Sequence, residues 1–155
     1  MSITYIRKAE PADAGRIAEI IIFCYRLNFY PIFQDDEFYF SELTVEDFAK
    51  ELREDFPDAW VWDQGGVKAV IIMEGTVIGK LFVEPCLWGK GIGAELLGFA
   101  VSELGAESLW ALEKNEKAIR FYKRHGFEFT GSKKYEEDTA EFLLEMKIKG
   151  ADHGN

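Results

Sequence analysis

Polar and apolar residues alternate in "ITYIRKA" (residues 3–9), the period of a half-buried strand. "PADAGRIAEIIIFCYRLNF" (11–29) then repeats its apolar positions with helical spacing, and Pro11 suits the first turn of a helix. "YPIFQDDEFYFSEL" (30–43) is aromatic and acidic without a clear period, which reads as a loop or short helical connection. Thr44 offers an N-cap for a second helix through "VEDFAKELRED", and Pro57 closes it. Three strand-like runs follow, "AWVWDQ", "VKAVIIME" and "VIGKLFVE", separated by a Gly65-Gly66 turn and a turn near Gly75-Thr76. They predict an antiparallel meander.

The second half changes topology. After "PCLWGKGIG", Leu97, Val101 and Leu104 recur at helical spacing, Gly105 marks the helix end, and "SLWALE" reads as a strand. A strand, loop, helix, strand unit of this length predicts a locally parallel pair. "EKAIRFYKRH" is a further short helix ended by Gly126, and "FEFTGSKK" with "TAEFLLEMKI" forms a final hairpin around "YEED". A chain of 155 residues, 48% hydrophobic, supports one domain with a sizeable core, here residues 1–149, and "GADHGN" (150–155) reads as a disordered tail.

Composition narrows the chemistry. No run approaches the roughly 20 apolar residues that span a bilayer, and the N-terminal stretch lacks a signal peptide's apolar core, so a cytoplasmic location without membrane contact is expected. Cys24 and Cys86 read as free thiols, and no Cys/His cluster has metal-ligand spacing, so no metal is expected. A net charge of −10 opposes binding to nucleic acid and suits a small or cationic partner. The charge is also segregated: residues 34–58 sum to −8 and residues 114–134 to +5. Solvated helix faces of opposite sign and paired binding ends both fit that split.

The glycine loop carries the chemistry. Gly89, Gly91 and Gly93 precede an amphipathic helix, so backbone N–H groups and the positive end of the helix dipole together make a site for phosphate. The P-loop pattern G-x-x-x-x-G-K-(S/T) is absent. Gly89, Gly91 and Ala94 do satisfy the dinucleotide fingerprint G-x-G-x-x-(G/A), with Glu113 about 20 residues on. That fingerprint normally follows a first strand directly, whereas here "EPCLW" intervenes and a meander precedes, which disfavours a dinucleotide-dependent oxidoreductase.

The full string "LFVEPCLWGKGIGAELL", followed by "NEKAIRFYKRHGF", closely resembles the GNAT superfamily of acetyl-CoA-dependent N-acetyltransferases. The family pattern is L-x-V-x-P, then (Q/R)-x-x-G-x-(G/A), and later N-x-x-A-x-x-F-Y-x-x-x-G-F. The element order from residue 3 to about 148 also looks like that fold: a single α/β domain with a mixed, mostly antiparallel sheet, a central parallel strand pair and flanking helices.

The resemblance implies roles. Leu81, Phe82 and Val83 would run beside the pantetheine arm of acetyl-CoA, offering backbone groups in the manner of an added strand. The loop from Trp88 through Gly89, Lys90, Gly91, Ile92, Gly93 and Ala94 would hold the pyrophosphate on its amides, with Lys90 adding charge. Trp88 departs from the family's glutamine or arginine. Asn115 would position the arm, although an Asn before "EKAIRFY" equally suits a helix N-cap. Tyr122 matches the family tyrosine near the cofactor sulfur and would give its proton to the departing thiolate; packing in the core is the other reading of that position.

The acceptor is an amine of a small molecule or a protein, attacking the thioester directly. Its pocket is expected at Tyr30, Phe33, Asp35, Asp36 and Glu37, where aromatics and acids could receive a cation; a solvated acidic loop with its aromatics in the core fits the same residues equally. Many family members carry a glutamate on the fourth strand as proton acceptor; that place is Val77 here, leaving Glu74, Glu113 or an acid in 34–37 as substitutes. A homodimer is compatible with this reading, and a non-catalytic acyl-CoA sensor is its alternative.

Overall fold

The computed structural model describes residues 4–150. Ile3, expected to begin the first strand, and residues 151–155 of the expected tail lie outside the described residues. Seven strands form one sheet in the order β1-β2-β3-β4-β5-β7-β6. They are β1 (Ile6–Lys8), β2 (Asp58–Asp63), β3 (Val67–Glu74), β4 (Val77–Val83), β5 (Ser108–Leu112), β6 (Phe127–Tyr135) and β7 (Phe142–Ile148). All neighbours are antiparallel except β4 and β5. The helices are α1 (Ala14–Asn28), the single turn α2 (Tyr30–Phe33), α3 (Val45–Glu54), α4 (Ile92–Glu103) and α5 (Glu116–Arg124).

The continuous apolar run of β3 has a simple cause: both faces of the strand are covered. Val70 and Ile72 turn toward α1, where Ile17, Ile20 and Ile21 meet them with Ala59 and Val61 of β2. Ala69, Ile71 and Met73 turn toward α4 and α5, joining Leu96, Leu97, Ala100 and Ile119. Each fully buried Val, Leu or Ile is worth roughly 1.5–3 kcal/mol, so the two faces together anchor the sheet. The expected short helical connection is α2 followed by a π-helical turn, Phe38–Glu42, whose Tyr39 is buried against Ile22 and Leu43. Thr44 caps α3 as its side chain accepts from Asp47 N–H at 3.2 Å.

The feature that positions the site is an interruption. β4 and β5 pair only at Val77↔Ser108 and Ile78↔Leu109, and then separate. Just beyond that point the register of β3 with β4 slips between Ile72 and Met73, leaving Gly79 as an extra residue in β4. A Cβ at Gly79 would meet the Glu74 carboxylate, so a larger residue in the bulge would have to displace that side chain. Leu81, Phe82 and Val83 stay paired with β3 on one side and present an open strand edge on the other.

Candidate active site

The gap between β4 and β5 opens into a cleft of about 630 Å³, within the usual range for small-molecule and cofactor sites. One end is the start of α4. The chain leaves β4 through a tight turn, Pro85–Leu87, and both Gly89 (φ 83°) and Gly91 (φ 84°) take the left-handed conformation that favours glycine. Gly91 is the N-cap of the twelve-residue α4. The N–H groups of Gly89 through Ala94 form no hydrogen bond within the described residues, so a row of amides and the helix dipole are left for an anion.

Trp88, the departure from the family pattern, has a structural job. Its indole N–H donates to the Val83 carbonyl at 2.8 Å, tying the loop back to the end of β4. The Cys24 thiol of α1 donates to the same carbonyl at 3.3 Å, and burial pushes that thiol's pKa up to about 12, keeping it a donor. Both lone pairs of the Val83 oxygen are therefore taken inside the protein. Lys117 Nζ sits 3.5 Å from the centre of the Trp88 ring, a cation–π contact that holds a positive charge beside the glycine loop. Lys90, expected to supply that charge, is exposed and does not line the cleft.

The other expected cofactor-side residues do line it: Leu81, Phe82, Val83, Trp88, Gly89, Gly91, Ile92, Gly93, Ala94, Asn115 and Tyr122. Asn115 caps α5, its side-chain oxygen accepting from Ala118 N–H at 3.3 Å, which leaves its amide NH₂ to donate. Tyr122 is core and cleft wall at once. It is 9% exposed, with its ring edge-on to Phe121 and Phe127, and burial raises its pKa, so the phenol keeps its proton.

The acceptor-side expectations fall elsewhere. Tyr30, Phe33, Asp35, Asp36 and Glu37 do not line the cleft. Asp35 Oδ1 instead accepts from Phe38 N–H at 3.1 Å, and Asp36 accepts from the Tyr30 hydroxyl, so this stretch spends its polar groups on its own turn. Phe33 and Tyr30 pack on Tyr39 and Leu43. Glu74 lines a separate cavity with Glu51, Glu54 and Asp55, and Glu113 does not line the cleft. Beyond the expected residues, the cleft is also lined by Tyr25, Asn28 and Phe29 of α1 and by Glu136 from the β6–β7 turn. Tyr25, Phe29 and Phe82 form an aromatic wall, with ring centres 5.1–6.3 Å apart.

Residues 56–129 match the family model described as an acetyltransferase (GNAT) domain. The matched stretch contains the meander, the glycine loop and α5, the elements that build the cleft. Over that stretch, a little under half of its length, the chain is similar to the GNAT acetyltransferase domain. A peptidyl-lysine N-acetyltransferase, YjaB of Salmonella typhimurium, is 33% identical over 87 residues, which cover 53% of this chain and 60% of that protein. The chain thus spans less than two thirds of that curated relative. The solution structure of apo YjaB from Escherichia coli matches the fold with a TM-score of 0.71 at 22% identity, covering 96% of this chain and 99% of that one. A PaiA N-acetyltransferase from Thermoplasma acidophilum, solved in complex with coenzyme A, matches with a TM-score of 0.63 at 20% identity, covering 96% and 100%.

Among the described residues no helix is long and apolar enough to cross a membrane, and no group of three or more His, Cys, Asp or Glu side chains could hold a metal ion. Sequence reasoning missed Tyr25, Phe29, Lys117 and Glu136. Lys117 was within reach, because it lies one turn before Phe121, which also lines the cleft. The others come from α1 and from a hairpin turn, and only the folded sheet brings them to the cleft.

Proposed function

We propose that this protein is an N-acetyltransferase that moves acetyl from acetyl-CoA to an amine in the cytoplasm. The observation that carries the reading is the row of unpaired amides from Gly89 to Ala94, continuous with the open edge of β4 and ending near a buried, protonated Tyr122. This cleft fits coenzyme A: amides and Lys117 for the pyrophosphate, a strand edge for the amide-bearing arm, and a phenol at the inner wall. The relative's printed specificity supports a lysine side chain, on a peptide or protein, as acceptor.

Acetyl-CoA supplies the activated thioester, and the chain's own residues do three things. The loop amides and the α4 dipole fix the anionic end. Asn115 and the backbone of Leu81 and Phe82 orient the arm, while the Val83 carbonyl, already accepting twice, serves Trp88 and Cys24 instead. Tyr122 donates its proton to the sulfur as the C–S bond breaks. Burial raises the phenol's pKa, so Tyr122 holds its proton at neutral pH until the departing thiolate takes it. An amine with a lysine-like pKa near 10.4 is neutral in fewer than about one molecule in a thousand at pH 7, so removing its proton before attack costs roughly 4–5 kcal/mol.

A second reading, an acyl-CoA-binding sensor without turnover, has an observation in its favour: Val77 stands where many relatives carry a glutamate, and it does not line the cleft. Thermal shifts with acetyl-CoA and with NAD(P)(H), followed by thiol release over a library of amines, separate the readings. Acetyl-CoA is expected to stabilise the fold and an amine to release free thiol; stabilisation by the dinucleotide alone defeats both CoA readings, and binding without turnover on any amine leaves the sensor.

A further inference from the structure

We propose that Glu136, on the turn between β6 and β7, is the specificity-determining carboxylate that receives the positively charged acceptor, a primary alkylammonium of lysine type. The proposal rests on the acetyltransferase reading for what happens next, but its observations are independent of it. Among the described residues Glu136 is the one carboxylate that lines the cleft. It is half-buried, whereas Glu137 and Asp138 beside it are exposed.

The turn holds Glu136 in place. Its N–H donates to the Glu141 carbonyl at 2.8 Å, and its own carbonyl accepts from Thr139 N–H at 3.0 Å and from the Thr139 hydroxyl at 2.9 Å. The carboxylate Oε1 accepts from Glu137 N–H at 3.0 Å. No described cation pairs with it. Its neighbour across the turn, Glu141, has Lys114 at 3.1 Å, and Glu84 has Arg16 at 2.9 Å. A half-buried carboxylate with no protein counter-charge is left free to pair with a cationic ligand.

The surroundings select the kind of cation. Glu136 lines the same cleft as Tyr25, Asn28 and Phe29 of α1. The aromatic residues Tyr25, Phe29 and Phe82, packed on one another, line the cleft with it and supply apolar surface for an alkyl stem. Lys117 is held over Trp88 at the glycine loop. The cleft therefore carries groups of both signs: free amides and Lys117 at the glycine loop for an anion, and Glu136 as its one carboxylate for a cation, with Lys80 and Arg124 also in its lining.

The test uses the full chain saturated with coenzyme A, and Nα-acetyl-L-lysine methylamide as probe, with its uncharged norleucine counterpart as control. E136Q removes the charge and keeps an oxygen for Glu137 N–H. Titration is expected to show probe affinity lowered about 10- to 100-fold in E136Q, the range for a hydrogen bond to a charged group. Affinity for coenzyme A, binding of the norleucine control and melting temperature should stay unchanged. Equal probe affinity in both proteins, equal losses for the two probes, or no binding of the lysine probe by the wild type overturns the proposal. Thiol release from acetyl-CoA, measured separately, reports on the transferase reading, so binding governed by Glu136 without turnover would sink that reading and leave this one standing.

Discussion

Replacing Tyr122 by Phe removes one oxygen and leaves the ring packing that seats α5 on the sheet. The centres of Phe121 and Phe127 lie 5.2 and 5.7 Å from the Tyr122 ring, and both contacts survive the change. Stability should therefore move by less than about 1 kcal/mol, a melting shift within roughly 2–4 °C for a domain of this size. Turnover should fall by about 10²- to 10⁴-fold, the contribution of a positioned proton donor, equivalent to roughly 2.7–5.5 kcal/mol of barrier. The KM for acetyl-CoA should hold, because the anion-binding loop is untouched. The pH profile adds a check on sign. Burial raises the phenol's pKa, so the protonated, active form persists across the neutral range and up to the folded pKa, and no descending limb from Tyr122 should appear below about pH 10. The assay is thiol release with a saturating amine, alongside a melting curve. A Phe variant within about threefold of wild-type kcat would remove Tyr122 from the mechanism, and a collapsed melting temperature would assign it to the core alone.

Two further outcomes follow from the same geometry. Trp88→Phe keeps a ring under Lys117 but loses the 2.8 Å bond to the Val83 carbonyl. It should lower stability by about 1 kcal/mol, a few degrees of melting temperature, and free one lone pair beside the cofactor arm; an unchanged melting curve would mean that the indole N–H contributes nothing. On β1, Arg7 grips both oxygens of Asp13 at 2.9 Å and holds that carboxyl below its ordinary value near 3.8. Stability from this pair is present above pH 3.8 and lost as pH falls through the lowered folded value, so Asp13→Asn should cost up to about 1 kcal/mol at neutral pH and converge with wild type in acid. With Arg7 39% exposed, solvent screening keeps the effect small. Denaturation curves at several pH values read it directly.

The sequence made the architecture legible because its signals were local. Turn glycines at 65, 66 and 75, the Thr44 cap and the apolar periods located every strand and the longer helices, and the loop-helix crossover implied the parallel β4–β5 pair. The glycine-loop wall of the cleft was legible for the same reason, since Leu81 to Ala94 is one contiguous stretch and Asn115 caps the short helix that carries Tyr122. The wall from α1 and the β6–β7 turn was not. Acidity made Asp35, Asp36 and Glu37 attractive, but short acidic side chains beside free turn N–H groups are satisfied locally, and these were. Glu136 sits among Glu137 and Asp138 with nothing in the sequence to separate them; the turn geometry and the splayed sheet do so. Trp88 looked like a defect in a polar motif, and its partner, the Val83 carbonyl, is a backbone group that no side-chain pattern reveals.

The central claim is acetyl transfer to an amine. The most direct measurement is mass spectrometry of a lysine-containing peptide library incubated with the protein and acetyl-CoA, with free thiol counted in the same reaction. The account predicts peptides heavier by one acetyl group on a lysine, in one-to-one proportion with thiol released, and almost none with the Tyr122→Phe protein. Acetyl-CoA bound at the cleft with no peptide acetylated and no thiol released would contradict it.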